Sequence, residues 1–135
     1  MEAAWVMSDR FPDMTRHAFS FLEDDGYLIT QRDATYIQYE RASSVVEIRW
    51  DPRSGELDLL IGLRSRDDDP VHLFSLTDLL MMQNADVPAA KSPFQVSEER
   101  KLGPFLDELA KNLRTFAVQA LAGDRMFFRD RKSVV

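Results

Sequence analysis

Few residues in this sequence have the types and spacing that chemistry needs. His17 and His72 are the only histidines, and no H-x-x-x-H pair offers two imidazoles to one metal ion. Asp67-Asp68-Asp69 is the densest acidic run, but a calcium loop needs alternating oxygen ligands, a central Gly and a distal Glu. Glu23-Asp24-Asp25 meets the same objection, so both runs read as solvated charge. The chain has no Cys, which removes disulfides, thiolate metal sites and thiol nucleophiles. Its five Gly are scattered, so neither a phosphate-cradling loop nor a dinucleotide fingerprint can be assembled, and no G-x-S-x-G elbow exposes a serine. Carboxylate pairs for glycoside hydrolysis carry no information here, because 23 acids make such pairs unavoidable. The expectation is a chain without catalytic residues, bound metal or cofactor.

What remains is the charge-dense stretch VVEIRWDPRSGELDLLIG, residues 45–62. Its centre, Asp51-Pro52-Arg53-Ser54-Gly55-Glu56, is turn chemistry. Pro52 presets φ, the Asp51 carboxylate can accept N–H groups two residues on, and Gly55 can take positive φ. A four-residue loop sets Trp50 against Leu57, Ile48 against Leu59 and Val46 against Ile61, all on one face. Arg49 then meets Asp58 on the other. A slip by one residue would scatter the apolar set over both faces. A two-residue turn at Ala42-Ser43 extends the scheme, placing Tyr39 against Val46 and Ile37 against Ile48. The polar face so formed collects Tyr36, Gln38, Glu40, Glu47, Arg49 and Asp58, with Leu60 among them and His72 at its edge. Its bland reading is a solvated sheet face. Its functional reading is a partner-binding surface anchored by Tyr36, Gln38, Glu47, Arg49, Asp58 and His72, since Tyr and Arg are the side chains that anchor interfaces.

Other elements must carry this meander. Residues 13–23 show a helical stripe of Met14, Ala18, Phe21 and Leu22, with Pro12 suited to the first turn and Gly26 to the end. His17 lies beside that stripe, as boundary histidines commonly do. Strands are expected at 27–31, 35–41 and 71–74, besides the hairpin. Ser75-Leu76-Thr77-Asp78 resembles a capping box opening a short helix through LLMMQ. Residues 84–97 hold two prolines and read as the longest irregular loop. Ser97 can cap a turn to Leu102, Gly103-Pro104 restarts or bends the helix, and Phe105 to Leu121 is amphipathic. In the tail, 124–135, Met126, Phe127 and Phe128 either fold back on the core or dock on another subunit. Phe19, Phe21, Phe105 and Phe116 fall on apolar stripes and read as core.

The fold class this predicts is α+β: a two-layer sandwich of an N-terminal helix, an antiparallel meander of about five strands, a short helix and a long C-terminal helix on one sheet face. With 135 residues and 44% hydrophobic content, one domain over 1–135 is expected. A net charge of −6 and a pI near 4.9 argue against a nucleic-acid binder and admit a basic partner. The N-terminus lacks a basic, apolar leader pattern, and no apolar run nears the ~20 residues a bilayer requires. A cytoplasmic location is therefore expected, and no membrane partner.

The run FSFLEDDGYLITQRDATYIQYERASSVVEIRWDPRSGELDLLIGL, followed by FSLTDLL and FLDELAKNLRTFAVQALAGD, resembles small acidic α+β bacterial proteins of the immunity type in its element order. That resemblance implies stoichiometric, non-catalytic binding of a protein partner and assigns no individual residue. The alternatives from the sequence are a small-molecule binder or modest enzyme with a pocket between sheet and long helix, and a regulatory subunit that homodimerises through its tail.

Overall fold

Phe11 sets the phase of the first helix by stacking on Trp50, with ring centroids 6.4 Å apart. The structure, a computed structural model, describes residues 10–42, 44–63, 72–76 and 94–116. Helix α1 spans Arg10–Ala18 and, after a break at Phe19, α2 spans Ser20–Asp24. The buried stripe is Phe11, Thr15, Phe19 and Leu22. Phe19 and Leu22 are buried as expected, whereas the expected Met14, Ala18 and Phe21 are only partly buried and Phe11 and Thr15 take their place. The phase follows from Phe11, which precedes the expected helix. Gly26 ends α2 at φ +95°, where an L side chain would be strained.

The sheet follows: β1 Leu28–Asp33, β2 Tyr36–Arg41, β3 Ser44–Trp50, β4 Glu56–Leu63, β5 His72–Ser75 and β6 Phe94–Gln95. The first five form an antiparallel meander in chain order, while β6 pairs with β4 alongside β5. Both expected hairpin registers hold. Trp50 pairs with Leu57, Ile48 with Leu59 and Val46 with Ile61. Tyr39 pairs with Val46 and Ile37 with Ile48. The turn is built as its chemistry requires: Asp51 Oδ1 accepts the Arg53 N–H at 2.9 Å, and Gly55 takes φ +82°. That backbone contact holds the Asp51 carboxyl below its ordinary pKa.

The irregular loop expected over 84–97 is corrected at its end. Phe94–Gln95 pairs with Glu56–Leu57, Val96 N donates to Gly55 O at 2.7 Å, and the Trp50 indole N–H donates to Val96 O at 2.9 Å. A buried indole needs an acceptor, and this segment supplies it. It also explains why Gly55 is small, since a Cβ there would lie 3.3 Å from Val96 O.

A 3-10 turn, Glu99–Lys101, runs directly into α3, Leu102–Phe116. Gly103 and Pro104 therefore sit inside the first turn rather than restarting the helix, at positions where a missing N–H costs nothing. Glu98, not Ser97, occupies the cap position of the 3-10 turn, and its carboxylate pairs with Arg100 at 3.0 Å and Lys101 at 3.3 Å. Those cations hold the Glu98 carboxyl below its usual range.

Helices α1, α2 and α3 cover one side of the sheet, here the inner face. Ile37, Tyr39, Val46, Ile48, Leu57, Leu59 and Ile61 meet Leu102, Leu106 and Leu113 there, all fully buried. Each such side chain contributes about 1.5–3 kcal/mol. The architecture is the expected α+β layout of a meander with helices on one face. The edge strand β1 is guarded against further pairing: its register shifts at Thr30, and Arg32 turns to the helix side, where it meets Asp13 at 3.3 Å. Among the described residues no helix is long and apolar enough to cross a membrane. The expected short helix over LLMMQ, the Asp67–Asp69 run, the end of the long helix past Phe116 and the 124–135 tail lie outside the described residues.

Candidate functional site

The outer sheet face carries the predicted anchors, and register decides which of them meet. Tyr36 pairs with Arg49, Gln38 with Glu47, and Arg49 with Asp58. All five share the outer face. His72 does not join them. It pairs with Leu63, so its register position matches the inner-face parity of Phe74 and Ile61 rather than that of Arg49.

These residues form a bonded chain across three strands. Thr30 Oγ1 donates to Gln38 Oε1 at 2.9 Å. The Gln38 amide donates to Tyr36 Oη and to Glu47 Oε2, each at 3.1 Å. Arg49 Nη2 and Nε donate to Glu47 Oε1 at 2.7 and 3.2 Å. Arg49 lies two residues along the same strand from Glu47, so its long side chain folds back over the carboxylate. Asp58, its register partner, uses Oδ1 to accept the N–H of Leu59 at 2.9 Å.

Burial departs from the expectation of a wet face. The Glu47 side chain is only 6% exposed, against 47% for Arg49. Gln38 is buried as well, and Tyr36 is half-buried. Burial comes first in pushing the Tyr36 phenol above its ordinary range, and the Glu47 charge beside it acts in the same sense. A buried carboxylate is tolerable only when its lone pairs are used, and here two donors serve it. Next to this network lies an apolar patch, Val45, Leu60 and Leu73, at 1%, 5% and 4% exposure. The outer face thus has two parts: an open polar part on β1, β2 and β3, and a closed apolar part on β3, β4 and β5.

Sequence reasoning missed Thr30, the burial of Glu47 and the apolar patch. A signal for the second was present, because the register sets an acid opposite an amide and two residues from a guanidinium.

The remaining candidates separate. His17 is exposed and lines a small concavity with Asp13, Met14, Gly103 and Asp107. A larger groove of about 490 Å³ runs along α1 and α3, lined by Ala18, Asp107, Ala110, Lys111, Arg114 and Thr115. Neither includes a sheet residue. Arg114 stacks over Phe21 at 5.1 Å. Glu23 pairs with Arg16 at 3.1 Å, while Asp24 and Asp25 are exposed. Among the described residues no group of three or more His, Asp or Glu is arranged to hold a metal ion. Compared with protein-family models, with curated proteins and with solved structures, the chain matches none.

Proposed function

We propose that this chain acts by binding a protein partner, without catalysis, through the open part of the outer face around Tyr36, Arg49 and Asp58, with Gln38 and Glu47 as its buried support. One observation carries the reading: the half-exposed Arg49 guanidinium is held from beneath by two bonds to a buried carboxylate. A guanidinium fixed in this way loses little rotamer freedom when a partner docks, and ordering of long side chains otherwise costs about 0.5–1.5 kcal/mol each. Arg and Tyr side by side are typical interface anchors.

The Arg49–Glu47 pair is internally neutral, and the chain around it is acidic, with a net charge of −6. A basic partner surface, with an acceptor for Arg49 near its centre, is the complement. Stoichiometric neutralisation of a basic protein in a reducing cytoplasm, in the manner of an immunity protein, is the form of this activity that suits an acidic chain without cysteine. A ligand pocket beneath the sheet has less support, because Ile37, Ile48, Leu59, Leu106 and Leu113 leave no exposed surface in that layer.

The test uses the double variant Glu47→Gln with Arg49→Gln, which removes both charges together and orphans neither. Wild type and variant serve as baits in extract of the source cells at low and high salt, with captured proteins identified by mass spectrometry. A salt-sensitive, near-stoichiometric partner should be retained by wild type and weakened about tenfold or more, or 1.4 kcal/mol, by a variant with unchanged circular dichroism. Equal recovery on both baits removes this face.

A further inference from the structure

The two concavities of the helix layer, about 490 and 280 Å³, both have Asp107 in their lining. They are two halves of one groove between α1 and α3. Its direction is fixed at both ends. Arg10 neighbours Glu99 at 3.9 Å, and Arg114 reaches the Phe21 ring at 5.1 Å. Helices α1 and α3 therefore run side by side in the same direction, and charge is sorted along them. Asp13 and Asp107 line the half toward the helix N-termini, and Lys111 and Arg114 line the other half.

These charges are little used within the chain. Among the described residues, neither Asp107 nor Lys111 has an ion-pair partner, although their i, i+4 spacing allows one. Arg114 is held over the Phe21 ring rather than on a carboxylate. Asp13 meets Arg32 at 3.3 Å but stays 69% exposed. Between the two charged halves the groove is lined by the small side chains of Ala18 and Ala110, which allow a second helix to approach closely.

We infer that the groove takes the same surface of a second copy, turned about a two-fold axis. Such an axis reverses helix direction, so the acidic half of each copy meets the basic half of the other, and the contact is made twice. Helix α3 of each copy lies antiparallel in the groove of the other, with Asp107 opposite Lys111 and Arg114 of the other copy. Parallel stacking would set like charges together, and a foreign helix of one charge would match only half of the groove. Helix α3 is ~22 Å long and two packed helices are ~20 Å wide. The contact therefore covers roughly 400 Å² per copy, or about 800 Å² in total, the class of weak and reversible association. It is independent of the proposed binding face, because the helices cover the other side of the sheet. The dimer stacks as sheet, helices, helices, sheet, and both outer faces stay open.

Sedimentation of the full-length protein over a concentration series tests this. The wild-type mass should rise from 15.6 kDa toward twice that value, and added salt should lower it. Lys111→Glu with Arg114→Glu makes the groove acidic throughout, and Asp13→Lys with Asp107→Lys makes it basic throughout. All four side chains are exposed, so circular dichroism should be unchanged. Each variant alone should stay at 15.6 kDa, and an equimolar mixture of the two should regain the dimer. A wild type that remains monomeric up to about 1 mM would overturn the inference. So would a variant that dimerises as wild type does, or a mixture that stays monomeric. Glu47→Gln with Arg49→Gln should dimerise normally, and loss of the dimer there would give the contact to the outer sheet face instead.

Discussion

Leu59 and Leu60 are neighbours in sequence and occupy opposite sides of one sheet. Both are buried, at 0% and 5% exposure, but in different company. Leu59 joins the continuous core under α1, α2 and α3, while Leu60 joins a three-residue patch beside an ion pair whose carboxylate alone is buried. The centre of the inner face is apolar and fixes the register, with the buried Tyr27–Ser44 hydroxyl pair at one end. The outer face mixes Val45 and Leu60 with Gln38, Glu47 and Arg49, and its stability rests on bonded polar groups. The difference teaches that burial on the two faces has different causes, so the same substitution should fail differently on each.

The largest expected effect tests the inner face. Leu59→Ala should cost about 2–5 kcal/mol, read as a shift in urea midpoint at constant slope. Leu60→Ala should cost less, near the lower end of that range, because its patch is small and can relax toward the outside. Equal losses would mean that the outer patch is as tightly enclosed as the core and would break the comparison. Next comes the ion pair. Arg49→Ala leaves Glu47 buried with one of its two donors gone, and should cost about 1–3 kcal/mol once the half-exposure of Arg49 is discounted. The Glu47→Gln, Arg49→Gln pair should recover most of that loss, since no charge is left behind. If the single and double variants unfold at the same denaturant concentration, Glu47 is reached by water and the polar part of the outer face is ordinary surface.

How much of this was legible follows the same division. Inner-face residues announced themselves because Val46, Ile48 and Trp50 alternate strictly and the Asp51–Gly55 turn chemistry agrees with that period. The outer face did not, because polarity in a strand reads as solvent when the cause of burial is a neighbour's side chain. Glu47 looks wet in sequence but is buried in the fold, where Gln38 and Arg49 both donate to its carboxylate. His72 was less legible for a related reason: its pairing with Leu63 depends on the β4–β5 register, and the charged stretch 64–70 is too long for its turn residues to fix that register. The N-terminal helix was found with Phe19 and Leu22 in the core, but Phe11 and Thr15 were missed, because stacking of Phe11 on Trp50 is a long-range contact that periodicity over 13–23 cannot see.

Two tyrosines extend the comparison at smaller scale. Tyr36, on the outer face, accepts a bond from Gln38, whereas the inner-face Tyr39 hydroxyl is buried without a protein partner. Tyr36→Phe should cost about 0.5–1.5 kcal/mol, and Tyr39→Phe should be neutral or slightly stabilising. Burial raises the pKa of both phenols above the ordinary 10.0, reinforced by Glu47 for Tyr36 and by Glu23 for Tyr39. The folded state therefore holds these protons longer than the unfolded chain. That contribution is complete below about pH 10 and is lost as the pH rises above it. Denaturant melts at increasing alkaline pH should show a shallower decline in either Phe variant than in wild type, and an unchanged decline would contradict the burial of that hydroxyl.

A small gain, rather than a loss, is expected at the turn that decides which residue goes to which face. Ala42 sits at φ +52° in the two-residue connection between β2 and β3, a conformation that disfavours a side chain with a Cβ. Ala42→Gly relieves that strain, which is worth about 1–2 kcal/mol. Extra freedom in the unfolded chain returns roughly 0.4–1 kcal/mol of the gain. A net stabilisation near ~0.5–1 kcal/mol is expected in urea melts. Because the pairing of Arg41 with Ser44 is kept, the gain should be additive with Leu59→Ala and with Leu60→Ala alike. Additivity with one and not the other would show that the turn is coupled to a single face, and that the register is held from that side alone.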